Sequence, residues 1–167
     1  MDGTPPAIEH DKYSDAYIRG ILSEVKTIAM VGSSTNWNRP SFFAMKYLQQ
    51  KDYRVIPVNP MAHGEKILGE PVFKCLADIE ENIDMVDLFR KSEDCLPYAD
   101  EAARIGAKVL WLQIGVWNDE AARIAEEAGL KVVMNRCPKI EYARLHGELG
   151  WNGINSGVIS SKKRKIR

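Results

Sequence analysis

The chain has 167 residues, with 23 Lys and Arg against 23 Asp and Glu, a length that suits one domain with its own core and a balance that argues against a general nucleic-acid or membrane surface. Cys75, Cys95 and Cys137 are scattered and odd in number, which supports neither a disulfide framework nor a metal site and fits a reducing compartment. Met1 is followed by an acidic, proline-containing start rather than a signal peptide, and no apolar run reaches membrane-spanning length, so the expectation is a soluble cytoplasmic protein.

Residues 1–13 show no periodic pattern and are expected to be loose. Ser14 can cap a helix over Asp15 to Val25, with Ile18, Ile21, Leu22 and Val25 on one face. Thr27 to Val31 reads as a buried strand that stops at Gly32-Ser33-Ser34-Thr35-Asn36, and Pro40 opens a helix to Gln50. Tyr53 to Val58 is a second strand, whose pairing is expected to fail near Pro57 because proline has no N–H. A loop region with a short edge strand around Pro71 to Phe73 and one helical turn near Leu76 comes next. Ile83 to Phe89 is a strand ending in Arg90-Lys91. Pro97 begins a helix that Gly106 ends, and Lys108 to Ile114 is a further strand. Asn118 caps a helix closed by Gly129, Lys131 to Met134 is the last strand, and Lys139 to Leu145 the last helix. Residues 147–167 form an extension whose basic end, Lys162-Lys163-Arg164-Lys165, reads as a solvated tail.

Apolar strands alternating with helices define a doubly wound parallel α/β sheet over residues 14–146, in which ligands sit beyond the carboxyl ends of the strands where strand order reverses. Those ends present Gly32-Ser33-Ser34, Val58-Asn59-Pro60, Phe89-Arg90, Gln113-Ile114-Gly115 and Asn135-Arg136-Cys137-Pro138. The set is rich in cations, amides and glycine and contains no carboxylate, which suits a phosphorylated nucleotide better than a catalytic metal or paired-carboxylate chemistry. Gly32 is expected to let a ligand approach the main chain, with helix N-terminal N–H groups, the Ser33 and Ser34 hydroxyls and the Arg39 guanidinium holding phosphate. Dinucleotide binding is disfavoured, because the turn lacks the third- and sixth-position glycines and the second strand ends in Asn59 rather than an acid.

The blocks Ile28-Ala29-Met30-Val31-Gly32-Ser33-Ser34 with Arg39-Pro40-Ser41, Tyr53 to Pro60, Gly69-Glu70-Pro71-Val72, Val86 to Ser92, Trp111 to Val116 and Met134 to Glu141 resemble the stand-alone coenzyme A binding proteins, similar to the coenzyme A binding domain of succinyl-coenzyme A synthetase alpha subunits. The resemblance implies a Rossmann-like fold that binds coenzyme A or an acyl-coenzyme A. It puts phosphates on Gly32, Ser33, Ser34 and Arg39, with Val58, Asn59 and Pro60 lining the nucleotide cleft and Phe89 and Arg90 opposite; Arg136 is a further candidate. Met61-Ala62-His63 stands where the synthetases carry a lysine, so Arg39 and Arg90 must supply that charge. The synthetases' second domain, with its phosphorylated histidine, has no counterpart expected here, and a non-catalytic binding protein is the leading reading. Its rivals are an enzyme acting on an acyl-coenzyme A, with Cys137 or an unassigned polar group as the chemical residue, and a partner subunit of an acyl-coenzyme A-using enzyme.

Overall fold

The computed structural model describes residues 8–148. In chain order its elements are α1 (Asp15–Glu24), β1 (Thr27–Val31), α2 (Pro40–Gln50), β2 (Arg54–Val58), β3 (Lys66–Ile67), β4 (Glu70–Pro71), β5 (Met85–Leu88), α3 (Leu96–Arg104), β6 (Val109–Leu112), α4 (Asp119–Glu127), β7 (Lys131–Val133) and α5 (Pro138–Leu145). Local chemistry sets many of these limits. The Ser14 hydroxyl accepts from the Tyr17 N–H and the Asn118 carboxamide from the Ala121 N–H, each capping a helix start, while Gly106 at φ +80° closes α3.

Five strands form one parallel sheet in the order β2-β1-β5-β6-β7. Outside β2, a single parallel bridge between Val58 and Phe73 forms a one-residue stub. Counting the stub, the order is that of the doubly wound dinucleotide-binding sheet, and it reverses between β1 and β5. One face packs Met30, Met85, Trp111 and Val133 against side chains of α1, α2 and α5. The other packs Val31, Leu88, Leu112 and Val132 against α3 and α4. Both faces are therefore covered, as near-continuous apolar strands require.

Two local expectations are corrected. Pro57 lies within β2, paired in register with Met30. Arg54 donates inward to the Lys26 carbonyl, whereas the Pro57 carbonyl accepts from Phe73 N–H on the outer side. The absent N–H therefore faces away from β1, and no ladder bond to β1 is lost. The edge strand expected at 71–73 shortens to the Phe73 bridge beside β2, and the chain just before it forms an unexpected hairpin of β3 and β4, turning through Leu68 (φ +49°) and Gly69 (φ +85°). Arg54 holds the hairpin down through an ion pair with Glu70, and pairs at 2.7 Å with Glu81 in the loop before β5.

Of the amino-terminal segment, residues 8–13 carry anchoring contacts: the Tyr13 hydroxyl accepts from Met134 N–H at 2.8 Å and its ring stacks on Tyr17. The basic tail expected at the end of the chain lies outside the described residues. No described helix is long and apolar enough to cross a membrane.

Candidate functional site

The reversal point brings the end of β1 against the end of β5. Phe89 N–H donates to the Val31 carbonyl at 2.9 Å, and Gly32, at φ +85°, sits directly on Phe89. A β-carbon on Gly32 would overlap the Phe89 carbonyl, with its carbon at 3.0 Å and Phe89 Cβ at 3.3 Å. The glycine is thus required by the meeting of two strand ends, a tighter constraint than the ligand approach expected from sequence.

The first loop amides are held within the protein. Gly32 N–H and Ser33 N–H both donate to the Val58 carbonyl, and Ser34 N–H donates to Ser41 Oγ at 3.1 Å. Ser33 is buried and its hydroxyl donates to the Met30 carbonyl at 2.6 Å, so it is not turned out toward a phosphate as expected. Asn59 Nδ2 donates to the Ser33 carbonyl at 2.7 Å while its Oδ1 accepts from Met61 N–H, locking the β1 and β2 loops together. The outward-facing donors begin one step later. Ser34 Oγ accepts from Asn36 N–H and retains its own proton, and Arg39 stands exposed at the start of α2, immediately before Pro40.

Two cavities flank this junction, and Arg90 lines both. One, of about 540 Å³, is lined by Val58, Pro60, Lys74, Arg90 and Tyr98, among others, and Glu93, Asp94 and Glu101 also border it, so the crevice is not free of carboxylates as the strand ends alone suggested. The other, of about 630 Å³, is bounded by Phe43 and Ala44 of α2, Phe89 beyond β5, Gln113 beyond β6, and Cys137 and Ile140 at the start of α5. Arg90 reaches Asp94 at 3.3 Å through Nη2, but its Nε is buried without a partner. Gln113 is 8% exposed and its Oε1 is likewise buried and unpartnered. Unsatisfied polar atoms of this kind are uncommon in folded proteins and mark places where another group is wanted.

Within the sheet lies Asp87, in mid-strand between Met30 and Trp111, fully buried with neither oxygen hydrogen-bonded. Burial holds its carboxyl well above the usual carboxylate range. Cys137 is also buried, and burial pushes its thiol up against the smaller opposing effect of the Gln113 side chain. A protonated thiol is a poor nucleophile, which weakens the reading that makes Cys137 a chemical residue.

Arg136 is not brought to the cavities. Its Nη1 donates to the Asn135 carbonyl at 2.9 Å and its Nη2 to the Asp11 carbonyl at 3.2 Å, with the guanidinium 5.1 Å from the Tyr13 ring centre. A third hollow, of about 330 Å³ and lined by Lys26, Lys51, Tyr53 and Tyr142 among others, lies at the opposite, amino end of the strands. Its Lys51 is already paired with Glu148 at 2.7 Å. Gln113 is a rim residue expected from sequence, whereas sequence reasoning did not single out Asp87, nor Phe43, Ile140, Lys74 and Tyr98 on the cavity walls. Of these, only Asp87 carried a visible signal, an acid in the middle of an apolar run.

The strand-order reversal, with a crevice above the ends of β1 and β5, defines an α/β protein of the doubly wound class. Residues 26–143 match the family model described as the CoA binding domain, and the chain belongs to that family. It is 38% identical over 130 residues to "Uncharacterized protein YneT" of Bacillus subtilis (strain 168), covering 78% of this chain and 95% of that one. Among solved structures, a "hypothetical protein from Pyrococcus horikoshii OT3" is 41% identical, covering 88% of this chain and all of the other at a TM-score of 0.77. A dinucleotide-forming acetyl-coenzyme A synthetase from Ca. Korarchaeum cryptofilum shares the fold at 20% identity and a TM-score of 0.58, over 66% of this chain and 26% of that one.

Proposed function

We propose that this protein binds coenzyme A, or an acyl-coenzyme A, in the crevice between the ends of β1 and β5, and holds it without transforming it. Membership of the CoA binding domain family is the observation that carries this reading. The local chemistry is compatible with such a ligand. Arg39 and the Ser34 hydroxyl form the anion-accepting side, with Gly32, Ser33 and Asn59 shaping the loop behind them, while the Phe42 and Phe43 N–H groups at the start of α2 turn back to the Arg39 carbonyl. Val58, Pro60 and Arg90 line the neighbouring cavity, which has room for a nucleotide. The orphaned Arg90 Nε and Gln113 Oε1 leave donor and acceptor places for a polar ligand.

Among the described residues there is no cluster of three or more His, Cys, Asp or Glu able to hold a metal. Asp87 and Cys137 are buried and favoured in their protonated forms, so neither offers a ready base or nucleophile. The protonated state of these two groups favours a holding role over turnover.

Thermal unfolding with and without ligand tests the reading. Coenzyme A at about a hundred times its dissociation constant adds roughly 2.7 kcal/mol, which raises Tm by about 5–11 °C for a domain of this size. A comparable rise with a nicotinamide dinucleotide and none with coenzyme A would overturn it.

A further inference from the structure

The cavity between α2 and α5 is chemically unlike the crevice beside it. Phe43, Ala44, Phe89, Ile114, Val116 and Ile140 give it an apolar wall, while Gln113 and Cys137 are polar groups buried on its inner side. Its volume of about 630 Å³ is far more than a water cluster needs and well within the range of small-ligand sites. Arg90 borders it and also the cavity lined by Val58 and Pro60, so the two hollows are neighbours on either side of that side chain. A ligand that enters it while anchored at the crevice must therefore be polar at one end and apolar at the other.

The orphaned atoms narrow the class. Arg90 Nε–H is a donor with no acceptor, and Gln113 Oε1 is an acceptor with no donor. An amide supplies both complements in one group, a carbonyl for the arginine and an N–H for the glutamine. The arm joining the nucleotide of coenzyme A to its sulfur contains amides, and in an acyl-coenzyme A the sulfur carries an apolar chain. The buried Cys137 is held as a thiol, so a thioester lying beside it meets no thiolate to attack it.

Resting on the coenzyme A reading above, we propose that the chamber between α2 and α5 is an acyl site, with Arg90 and Gln113 holding the amide arm and Phe43, Ala44 and Ile140 enclosing the chain. The ligand class is then an acyl-coenzyme A with a short or medium aliphatic chain rather than free coenzyme A.

The test is a calorimetric series on the full chain with coenzyme A and its acetyl, butanoyl and hexanoyl thioesters. Each methylene taken out of water strengthens binding about fourfold, so hexanoyl-coenzyme A should bind on the order of a hundredfold tighter than acetyl-coenzyme A. Ile140→Trp, which fills the chamber, should flatten the series. If that variant does not fold, the wild-type series alone decides. Binding of coenzyme A with no dependence on chain length overturns the acyl site and leaves the coenzyme A reading standing. Failure of every ligand to bind overturns both.

Discussion

Replacing Asp87 by asparagine should change how stability depends on pH, by an amount that follows from its burial. The carboxyl is fully buried with both oxygens unpartnered, and burial raises its pKa well above the ordinary value. The folded protein therefore keeps a proton that the unfolded chain, with an aspartate pKa of about 3.9, has already released. With one more proton bound in the native state, unfolding free energy falls as pH rises. The fall begins near pH 4 and continues until the raised folded-state pKa is reached, at about 1.4 kcal/mol per pH unit. Asp87→Asn keeps the shape and removes the proton exchange. The variant's stability minus that of wild type should therefore grow by about 1.4 kcal/mol per pH unit across that window, or roughly 3–6 °C in Tm. Urea unfolding of both proteins at unit pH steps upward from about pH 4 measures it, and taking the difference cancels the other titrating groups. Curves that run parallel would mean that Asp87 has the same pKa folded and unfolded, and would refute the reasoning.

Gly32→Ala forces a side chain into the left-handed region and onto the Phe89 carbonyl, so it should cost about 2 kcal/mol or more in denaturant unfolding; an unchanged midpoint would remove the steric argument. Coenzyme A should bind about ten- to a hundredfold tighter than its 3′-dephospho form, because a charge-assisted phosphate contact contributes roughly 1.5–3 kcal/mol, and Arg39→Ala or Arg90→Ala should abolish that preference. Equal wild-type affinities for the two ligands would leave the 3′-phosphate in solvent. Arg136→Ala removes the contacts to Asp11 and Tyr13 and should lower stability by about 1 kcal/mol while coenzyme A affinity stays within about twofold. A large loss of affinity in a folded Arg136→Ala protein would return that arginine to the site.

The elements that sequence made legible are those whose signals are local. Ser14 and Asn118 are caps that act three residues ahead, and Gly106 and Gly129 end helices through their own backbone geometry. Alternating strands and helices specify the doubly wound sheet, hence the reversal point and the residues on its rim. What stayed hidden depends on partners distant in the chain. Pro57 is harmless only because β2 is the last full strand of the sheet and its nitrogen side faces outward, which no property of the pentapeptide reveals. Leu68 occupies a left-handed turn position that sequence preference would give to asparagine or glycine, so the β3–β4 hairpin had no recognisable signature.

At the site the same distinction holds. Gly32 was visible as a glycine, but the Phe89 carbonyl that demands it comes from the other side of the strand reversal. Ser33 and Arg136 have the right chemistry for phosphate, yet the first is bonded to Met30 and the second to Asn135 and Asp11. The apolar chamber joins Phe43, Gln113 and Ile140 from three separate segments, of which only Gln113, at a strand end, was marked by its position in sequence.

The most direct measurement is an isothermal titration of the full chain with coenzyme A, free of any other nucleotide. Saturable binding of one coenzyme A per chain, with a nicotinamide dinucleotide giving no comparable heat and no competition, is the predicted result. No binding of coenzyme A, or binding of the dinucleotide in its place, would contradict the account.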